Sequence, residues 1–249
     1  MDRETDIPES HPRYESLLTR HRIEAGVEKG ITSKQGLIAQ GRGEAFDYLL
    51  GEETTESADG AARAAAAHLL LAERPVLSIN GNVAALVPGE VVDLANAVDA
   101  ALEVNLFNRT EARMEAIAEH LREHGATAVK GLAGDGEIPG LEHARGTVDA
   151  DGIYAADVVL VPLEDGDRAQ ALAEMGKVEI VIDLNPASRS PQVADVPIVD
   201  NVMRAVPNIT AHAQTLEGTE RESLERIVAE FDADEALERA ETRIRTGRF

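Results

Sequence analysis

The sequence predicts an α/β protein built on a doubly wound parallel sheet, and three observations carry that prediction. From Ala156 to Arg189 the chain reads ADVVLVPLEDGDRAQALAEMGKVEIVIDLNPASR, an apolar run, a polar turn, a helical period and a second apolar run. Apolar runs and helical periods go on alternating from residue 76 to 213, the pattern that parallel sheets with crossover helices require. The second run, Val178 to Ile182, is apolar on both faces, as strands buried between helix layers are. Together these describe a Rossmann-like core over residues 61–213, with helices in 1–60 and a charged helical extension in 214–249.

Within that unit, Val158 to Val161 form a β-branched strand and Leu163 to Asp167 an acidic turn. A helix follows from Asp167 to Met175 with Ala169, Leu172, Ala173 and Met175 facing inward, and Gly176 sits at its end. Asp183 then closes the next strand. A carboxylate at such a tip suits a ribose hydroxyl, because ligands of open parallel sheets bind beyond the C-terminal strand ends; it also suits a plain turn cap before Pro186.

The N-terminal segment reads as three helices, His11 to Lys29, Ser33 to Gln40 and Gly43 to Leu50. Ser10 and Pro12 fit the start of the first, and Gly30 and Gly51 fit helix ends. Arg42 lies between two glycines in GRGEAF, where a bare backbone permits close approach. An alanine-rich helix spans 57–73 and stops at Arg74-Pro75. Val76 to Ile79 make a strand that enters Asn80-Gly81-Asn82 and a short helix, whose first amides are available to an anion or to an ordinary turn. Leu102 to Leu106 and Thr127 to Val129 read as strands around a helix from Thr110 to Glu123. Thr110 is its N-cap, with Arg113 in place of the usual acid or amide. Residues 131–157 are glycine-rich and weakly periodic, a long loop of the kind that often carries function. Val196 to Val199 form a further strand, and Asp200-Asn201 lead into a helix through Arg204. Residues 217–247 carry an apolar helical stripe (Leu224, Ile227, Val228, Phe231, Leu237) open to a partner subunit.

Composition excludes several chemistries. The chain of 249 residues has no cysteine, so disulfides, thiolate zinc and thiol nucleophiles are absent. Its net charge is −22, which argues against a nucleic-acid footprint. Four lysines among 24 cations, with few aromatics, suit adaptation to high salt. No apolar run is long enough for a membrane span, and the charged start MDRETDIPES is unlike a secretory signal, so a cytoplasmic protein is expected. GxxxxGK[ST], GxSxG and HExxH patterns do not occur, and neither GRGEAF nor GLAGDG has dinucleotide-fingerprint spacing. His120 and His124 are spaced as two metal ligands on one helix face, but solvated histidines are the simpler reading and no third ligand is evident.

What remains is a set of polar residues at predicted strand ends. Arg20 and Arg42 come from the helices, Asn80 and Asn82 from the first turn, Asn105 and Arg109 from the second. Asp183, Asn185 and Arg189, then Asp200 and Asn201, follow at later tips. Several cations with one ribose-type acid suit a nucleoside triphosphate and an anionic second substrate.

Six ordered blocks, IPESHPRYESLLTR, AQGRGEAFDYLLGE, SINGNVAAL, EVNLFNRTE, ADVVLVPLEDGDRAQAL and VIDLNPASR, closely resemble the archaeal phosphopantothenate synthetase family, the 4-phosphopantoate:β-alanine ligases, over about residues 7 to 213. The resemblance implies a dimeric enzyme of coenzyme A biosynthesis that joins 4-phosphopantoate to β-alanine with ATP and Mg²⁺, through an acyl adenylate. It implies catalytic and ATP-binding arginines at Arg20 and Arg42. Further ATP contacts fall at Asp183, Leu184 and Asn185, at Arg189 and Ser190, and at Asn201 and Val202. Asn80, Asn82, Asn105 and Arg109 are assigned to phosphopantoate. Two other classes stay open on the residues alone, a nucleotide-responsive regulatory module and a Rossmann-type oxidoreductase.

Overall fold

The computed structural model describes residues 8, 10–11, 13–163 and 165–247. Three helices come first: α1 (Tyr14–Glu28), α2 (Lys34–Leu50) and α3 (Glu56–Leu71). The core follows as β1 (Pro75–Ile79), α4 (Gly81–Leu86), α5 (Pro88–Ala97), β2 (Ala101–Val104), α6 (Glu111–Glu123), β3 (Gly136–Glu137) and β4 (Thr147–Val148). It continues as β5 (Val158–Pro162), α7 (Gly166–Glu174), β6 (Val178–Ile182), α8 (Arg189–Val193), β7 (Val196–Ile198) and α9 (Val202–Leu216), and α10 (Arg221–Glu230) and α11 (Ala233–Thr246) close the chain.

Five strands form one sheet in the order β2-β1-β5-β6-β7, and every pairing within it is parallel. Counted within that sheet the order is 2-1-3-4-5, so its direction of growth reverses between β1 and β5. A reversal of this kind opens a crevice at the C-terminal strand ends, because the two flanking crossovers leave on opposite faces.

Side chains alternate across the strands. Leu77, Ile79, Leu102, Val104, Leu160, Ile180 and Ile182 pack with α3, α5, α6 and α9 in the larger core. The alanines of α3 are almost completely buried there, which lets that helix lie close to α9. On the opposite face Val76, Val159 and Val161 pack against α7 and against Ile138, Leu141, Val148 and Ile153. The glycine-rich stretch 131–157 therefore covers part of one sheet face, in the place of a helix.

Several boundaries differ from expectation. The first helix begins at Tyr14, and its N-cap, Arg13, makes no side-chain cap bond; Ser10 lies outside the helix in a turn, and Pro12 lies outside the described residues. The two helices expected over 33–50 are one, capped by Ser33 Oγ accepting from Gly36 N and closed by Gly51 at φ 105°. Gly41 and Gly43 sit inside it without breaking it, because its inner side is held by packing on the strand ends. The segment after Asn80 holds two helices, separated where Pro88 opens α5. Residues 127–129 form no strand; only Lys130 bridges to Glu103. Gly131 follows at φ +97°, and a Cβ there would stand 2.2 Å from Val104 O, so the chain turns away from the sheet edge at once. The strand expected to reach Leu106 stops at Val104, and the one expected to reach Val199 stops at Ile198. On α7, Ala169 and Leu172 face inward as expected, but so do Arg168 and Ala171, and Ala173 is exposed. The last two helices pack on this chain's own α2 and α3, burying Leu224, Ala236 and Ala240. No described helix is long and apolar enough to cross a membrane.

Candidate functional site

The site is organised by α2, 17 residues long and about 25 Å from end to end, which lies across the C-terminal strand ends. Its first turn is at β1, its middle at β6 and its last turn at β7. The inward stripe is Gly36, Ala39, Gly43, Asp47 and Leu50, small where the helix must come closest. A Cβ on Gly36 would meet Asn82 Oδ1 at 2.3 Å, and one on Gly43 would touch Leu184 Cδ1 at 3.4 Å.

Under the first turn of α2, at the reversal between β1 and β5, is a pocket of about 300 Å³. That is the low end for small-molecule sites. Ser33, Gln35, Asn80, Asn82, Asn108, Arg113, Arg145 and Asp165 supply its polar lining. Asn80 Oδ1 accepts from the amides of Asn82 and Val83, and its Nδ2 donates to Pro162 O. The two amides on which an anion at this turn would depend are thus already satisfied, and Asn80 ties the ends of β1 and β5 together. Asn82 Nδ2 donates to Gly36 O at 3.0 Å and so clips α4 to α2. Arg113 donates to Asn108 O and Ile31 O, its Nε has no hydrogen-bond partner, and burial lowers its pKa.

Arg145 enters from the irregular segment, from a single 3-10 turn, and is 4% exposed. Its Nε donates to Asn105 Oδ1 at 3.2 Å and its Nη1 to Asp165 Oδ2 at 2.8 Å. Asn105 is fully buried and donates to Arg145 O and Thr147 O. Of the four residues expected for phosphopantoate, Asn80 and Asn82 line this pocket, whereas Asn105 and Arg109 do not. Asn105 is turned to Arg145, and Arg109 Nη2 to Gly131 O. The segment is fixed from below by Glu103, whose two oxygens accept from the amides of Asp149 and Ile153. Burial pushes the Glu103 carboxyl up to about 7, against the pull of those two amides.

At the middle of α2, Asp183 accepts from Asn185 N at 2.9 Å and Ser188 Oγ at 2.6 Å. Burial raises its pKa, opposed by those donors and by the charge of Arg42. Arg42 is exposed and has no hydrogen-bond or ion-pair partner among the described residues. Arg20 forms a bidentate pair with Glu44, which ties α1 to α2. Arg189 pairs with Asp167 and packs on Gly166, where a Cβ would come within 2.7 Å of its own Cβ. Ser190 is buried beside it.

The last turn of α2 meets α9. Asn201 caps that helix at Met203 N, and its Nδ2 donates to Asp47 Oδ2 at 2.7 Å. Arg204 grips both Asp47 and Asp200, and Thr54 donates to Asp200. Asn201 and Val202 are thereby locked to α2, about four turns from the pocket.

Along α2 the structure thus gathers Arg42, Asp183, Leu184 and Asn185 at the middle, Asn80 and Asn82 at one end and Asn201 and Val202 at the other, and leaves Asn105 and Arg109 outside the pocket. Arg145 and Asp165 were not expected. Arg145 lies in a stretch without periodicity, and only the acidic turn LEDGD marks Asp165. A larger cleft of about 670 Å³ between α1, α5 and α6 lies away from these strand ends and contains none of the expected site residues. It holds His120, whose side chain is 11% exposed, not solvated as expected, with its ring edge-on to His124 at 4.4 Å. Among the described residues no group of three His, Asp or Glu is arranged to hold a metal.

An open parallel sheet with polar side chains gathered over its C-terminal edge defines a protein of the class that takes its ligand in that crevice. The family model for phosphopantothenate/pantothenate synthetase matches residues 57–247. The chain is 58% identical over 232 residues to the 4-phosphopantoate–β-alanine ligase of Thermococcus onnurineus, covering 93% of this chain and 89% of that one. It is 56% identical to the ligase of the same name from Thermococcus kodakarensis, over 93% and 89% of the two chains. With that of Methanosarcina mazei the identity is 55%, over 95% and 93%. The chain belongs to the phosphopantothenate/pantothenate synthetase family. The match extends through α10 and α11, so the segment after residue 213, expected to fall outside the resemblance, lies inside the family.

Proposed function

We propose that this chain is an ATP-dependent ligase that joins 4-phosphopantoate to β-alanine, giving 4-phosphopantothenate, AMP and pyrophosphate. The observation that carries this reading beyond family membership is α2, which connects a small polar pocket to a second group containing an arginine and a strand-end carboxylate. A two-substrate reaction with one nucleotide needs such a pair of adjoining places.

The phosphopantoate carboxylate attacks the α-phosphorus of ATP. The bond to the pyrophosphate oxygen breaks, and an acyl adenylate forms. The β-alanine nitrogen then bonds to the acyl carbon, AMP departs with the electron pair, and the nitrogen loses its excess protons to solvent or a neighbouring acceptor. No protein nucleophile is needed, so the chain's work is placement and charge stabilisation. In this reading Asp183 and Asn185 hold the ribose end, with Asn201 and Val202 fixing the far turn of the crevice. Arg42, helped by Arg20 and by Arg189 with Ser190, takes the phosphates. Asn82, Arg113 and Arg145 receive the phosphorylated acid. The described residues fit a Mg²⁺ that arrives on the triphosphate better than a resident ion, since Mg²⁺ ordinarily keeps waters and takes phosphates with one or two carboxylates. When bound it would neutralise phosphate charge; every placement above belongs to the chain's own residues.

A homodimer belongs to the same reading. Leu37 and Ile38 are exposed, as are Tyr48 and Leu49, and the two pairs stand three turns apart on the outer face of α2. Net charge −22 supports function in high salt, where such repulsion is screened. The deciding experiment is incubation with ATP, Mg²⁺, β-alanine and 4-phosphopantoate in high salt. AMP and pyrophosphate are expected; ADP would replace the adenylate by an acyl phosphate, and no nucleotide turnover would reject the reading.

A further inference from the structure

The third position of a helix ordinarily takes an acid or an amide, and a cation there opposes the helix dipole. In α6 that position is held by Arg113, whose amide donates to the Thr110 cap. Its guanidinium lies at the end of β1, where Nη1 donates to Asn108 O and Nη2 to Ile31 O. Gly81 leaves it room: a Cβ there would stand 3.0 Å from Arg113 Nη2 and 2.4 Å from Ile31 O. Asn108 is fixed in turn, with Nδ2 donating to Gln35 Oε1 at 2.7 Å on the first turn of α2.

The two arginines of the pocket differ in what neutralises them. Arg145 is paired with the carboxylate of Asp165. Arg113 meets carbonyl oxygens alone, which engage two of the five N–H groups a guanidinium carries. Its Nε is buried without an acceptor, and no carboxylate lies within ion-pair reach of it among the described residues. A half-buried charge without a counter-charge costs stability, and the planar fork of an arginine suits a phosphate.

Strand order decides which end of the acid Arg113 meets. 4-Phosphopantoate has its carboxylate at one end and its phosphate at the other, and the carboxylate must reach the α-phosphorus of the nucleotide. With Asp183 and Asn185 the nucleotide belongs at β6. Arg113 stands by β1 and β2, two to three strands away in the order β2-β1-β5-β6-β7, roughly 10–15 Å. The carboxylate therefore points along α2 toward β6, and the phosphate is left at the β1 end. We propose that Arg113 binds the phosphate of the acid substrate and is the residue that distinguishes the phosphorylated acid from unphosphorylated pantoate. The proposal rests on the ligase reading.

AMP release with ATP and β-alanine is followed with 4-phosphopantoate and with pantoate, in the full chain and in Arg113→Gln and Arg113→Lys. Pantoate that does not turn over is measured as a competitor of 4-phosphopantoate. In R113Q the KM for 4-phosphopantoate is expected to rise roughly 10- to 100-fold, the scale of lost hydrogen bonds to a charged group. The constant for pantoate, which carries no phosphate, should stay within a few-fold. R113K keeps the charge without the fork and should fall between; if thermal melts show R113Q unfolded, R113K must still weaken 4-phosphopantoate more than pantoate. A parallel loss for both acids would make Arg113 a brace for Asn108 and Ile31 alone and overturn the proposal. So would an unchanged KM for 4-phosphopantoate, or equal use of the two acids by the unsubstituted chain. Absence of any nucleotide turnover with 4-phosphopantoate in the unsubstituted chain would instead sink the ligase reading itself.

Discussion

Arg42 and Asp183 approach from different elements, one from the middle of α2 and one from the end of β6, and the charge of the first lowers the pKa of the second against its burial. Removing a cation that stabilises a transition state typically costs about 10²- to 10³-fold in kcat, and Arg42→Ala is expected to slow pyrophosphate release by that amount. The side chain is exposed and unpaired among the described residues, so stability should stay within about 0.5 kcal/mol. A thermal melt beside the rate measurement checks both, and unchanged turnover would remove Arg42 from the site. Asp183→Ala should raise the KM for ATP more than that for β-alanine, since its place is the nucleotide half of the crevice. Equal effects on the two would mark it as the support of the Asn185–Ser188 turn alone. The positions of Arg42 and Asp183 followed from local patterns, an arginine between glycines and a strand-end acid. Asn105 was expected to face the ligand, and its side chain is instead buried against Arg145 and Thr147, since a side chain at a strand end turns outward or into the core according to what lies behind it.

At the scale of the element, α2 decides whether there is a site at all. Its glycines have opposite meanings. At Gly36 a Cβ would stand 2.3 Å from Asn82 Oδ1 and 2.6 Å from Thr32 Cγ2, so Gly36→Ala must push the helix away from α4. A loss of about 1–3 kcal/mol is expected, as for overpacking generally, together with weaker phosphopantoate binding. At Gly41 a Cβ would meet nothing within 4 Å, and Gly41→Ala should stabilise the helix by about 0.5–1 kcal/mol. Melts of the two variants shifting in the same direction would contradict this packing. The sequence pattern breaks the helix at Gly41 and Gly43, and the structure shows it unbroken. The outcome depends on Leu184, Asn82 and Asn201, residues far along the chain.

For the whole molecule, the irregular segment 131–157 does a helix's work on one sheet face, and Glu103 is its anchor. The Glu103 carboxyl is pushed up to about 7 when folded, above the ordinary glutamate range in the unfolded chain. Between the two values the folded state holds a proton that the unfolded state has lost. Stability must therefore fall as pH rises through that window and level off above about 7. The full effect is on the order of 3 kcal/mol. Glu103→Gln loses this pH dependence, and it also loses one acceptor for the amides of Asp149 and Ile153. Urea denaturation of both proteins between acid and neutral pH isolates the effect as the difference of two slopes. Parallel curves would show that Glu103 stays ionised in the fold.

By itself the sequence determined what depends on near neighbours in the chain: the buried β-branched runs of β1, β5 and β6, the cap at Thr110, and the glycine stop after α7. The absence of cysteine and the acid balance also belong to it, as does the order of blocks that pointed to a family. Tertiary structure alone decided that two predicted helices are one, that a glycine-rich loop is a layer of the core, and that Arg145 and Asp165 meet in the pocket. The physical reason is the reach of the interactions. Periodicity and capping act within about four residues, whereas Asn105 and Arg145 are 40 residues apart and Asn201 and Asp47 are 154 apart. Their pairing follows from the order of the strands, which no local pattern encodes.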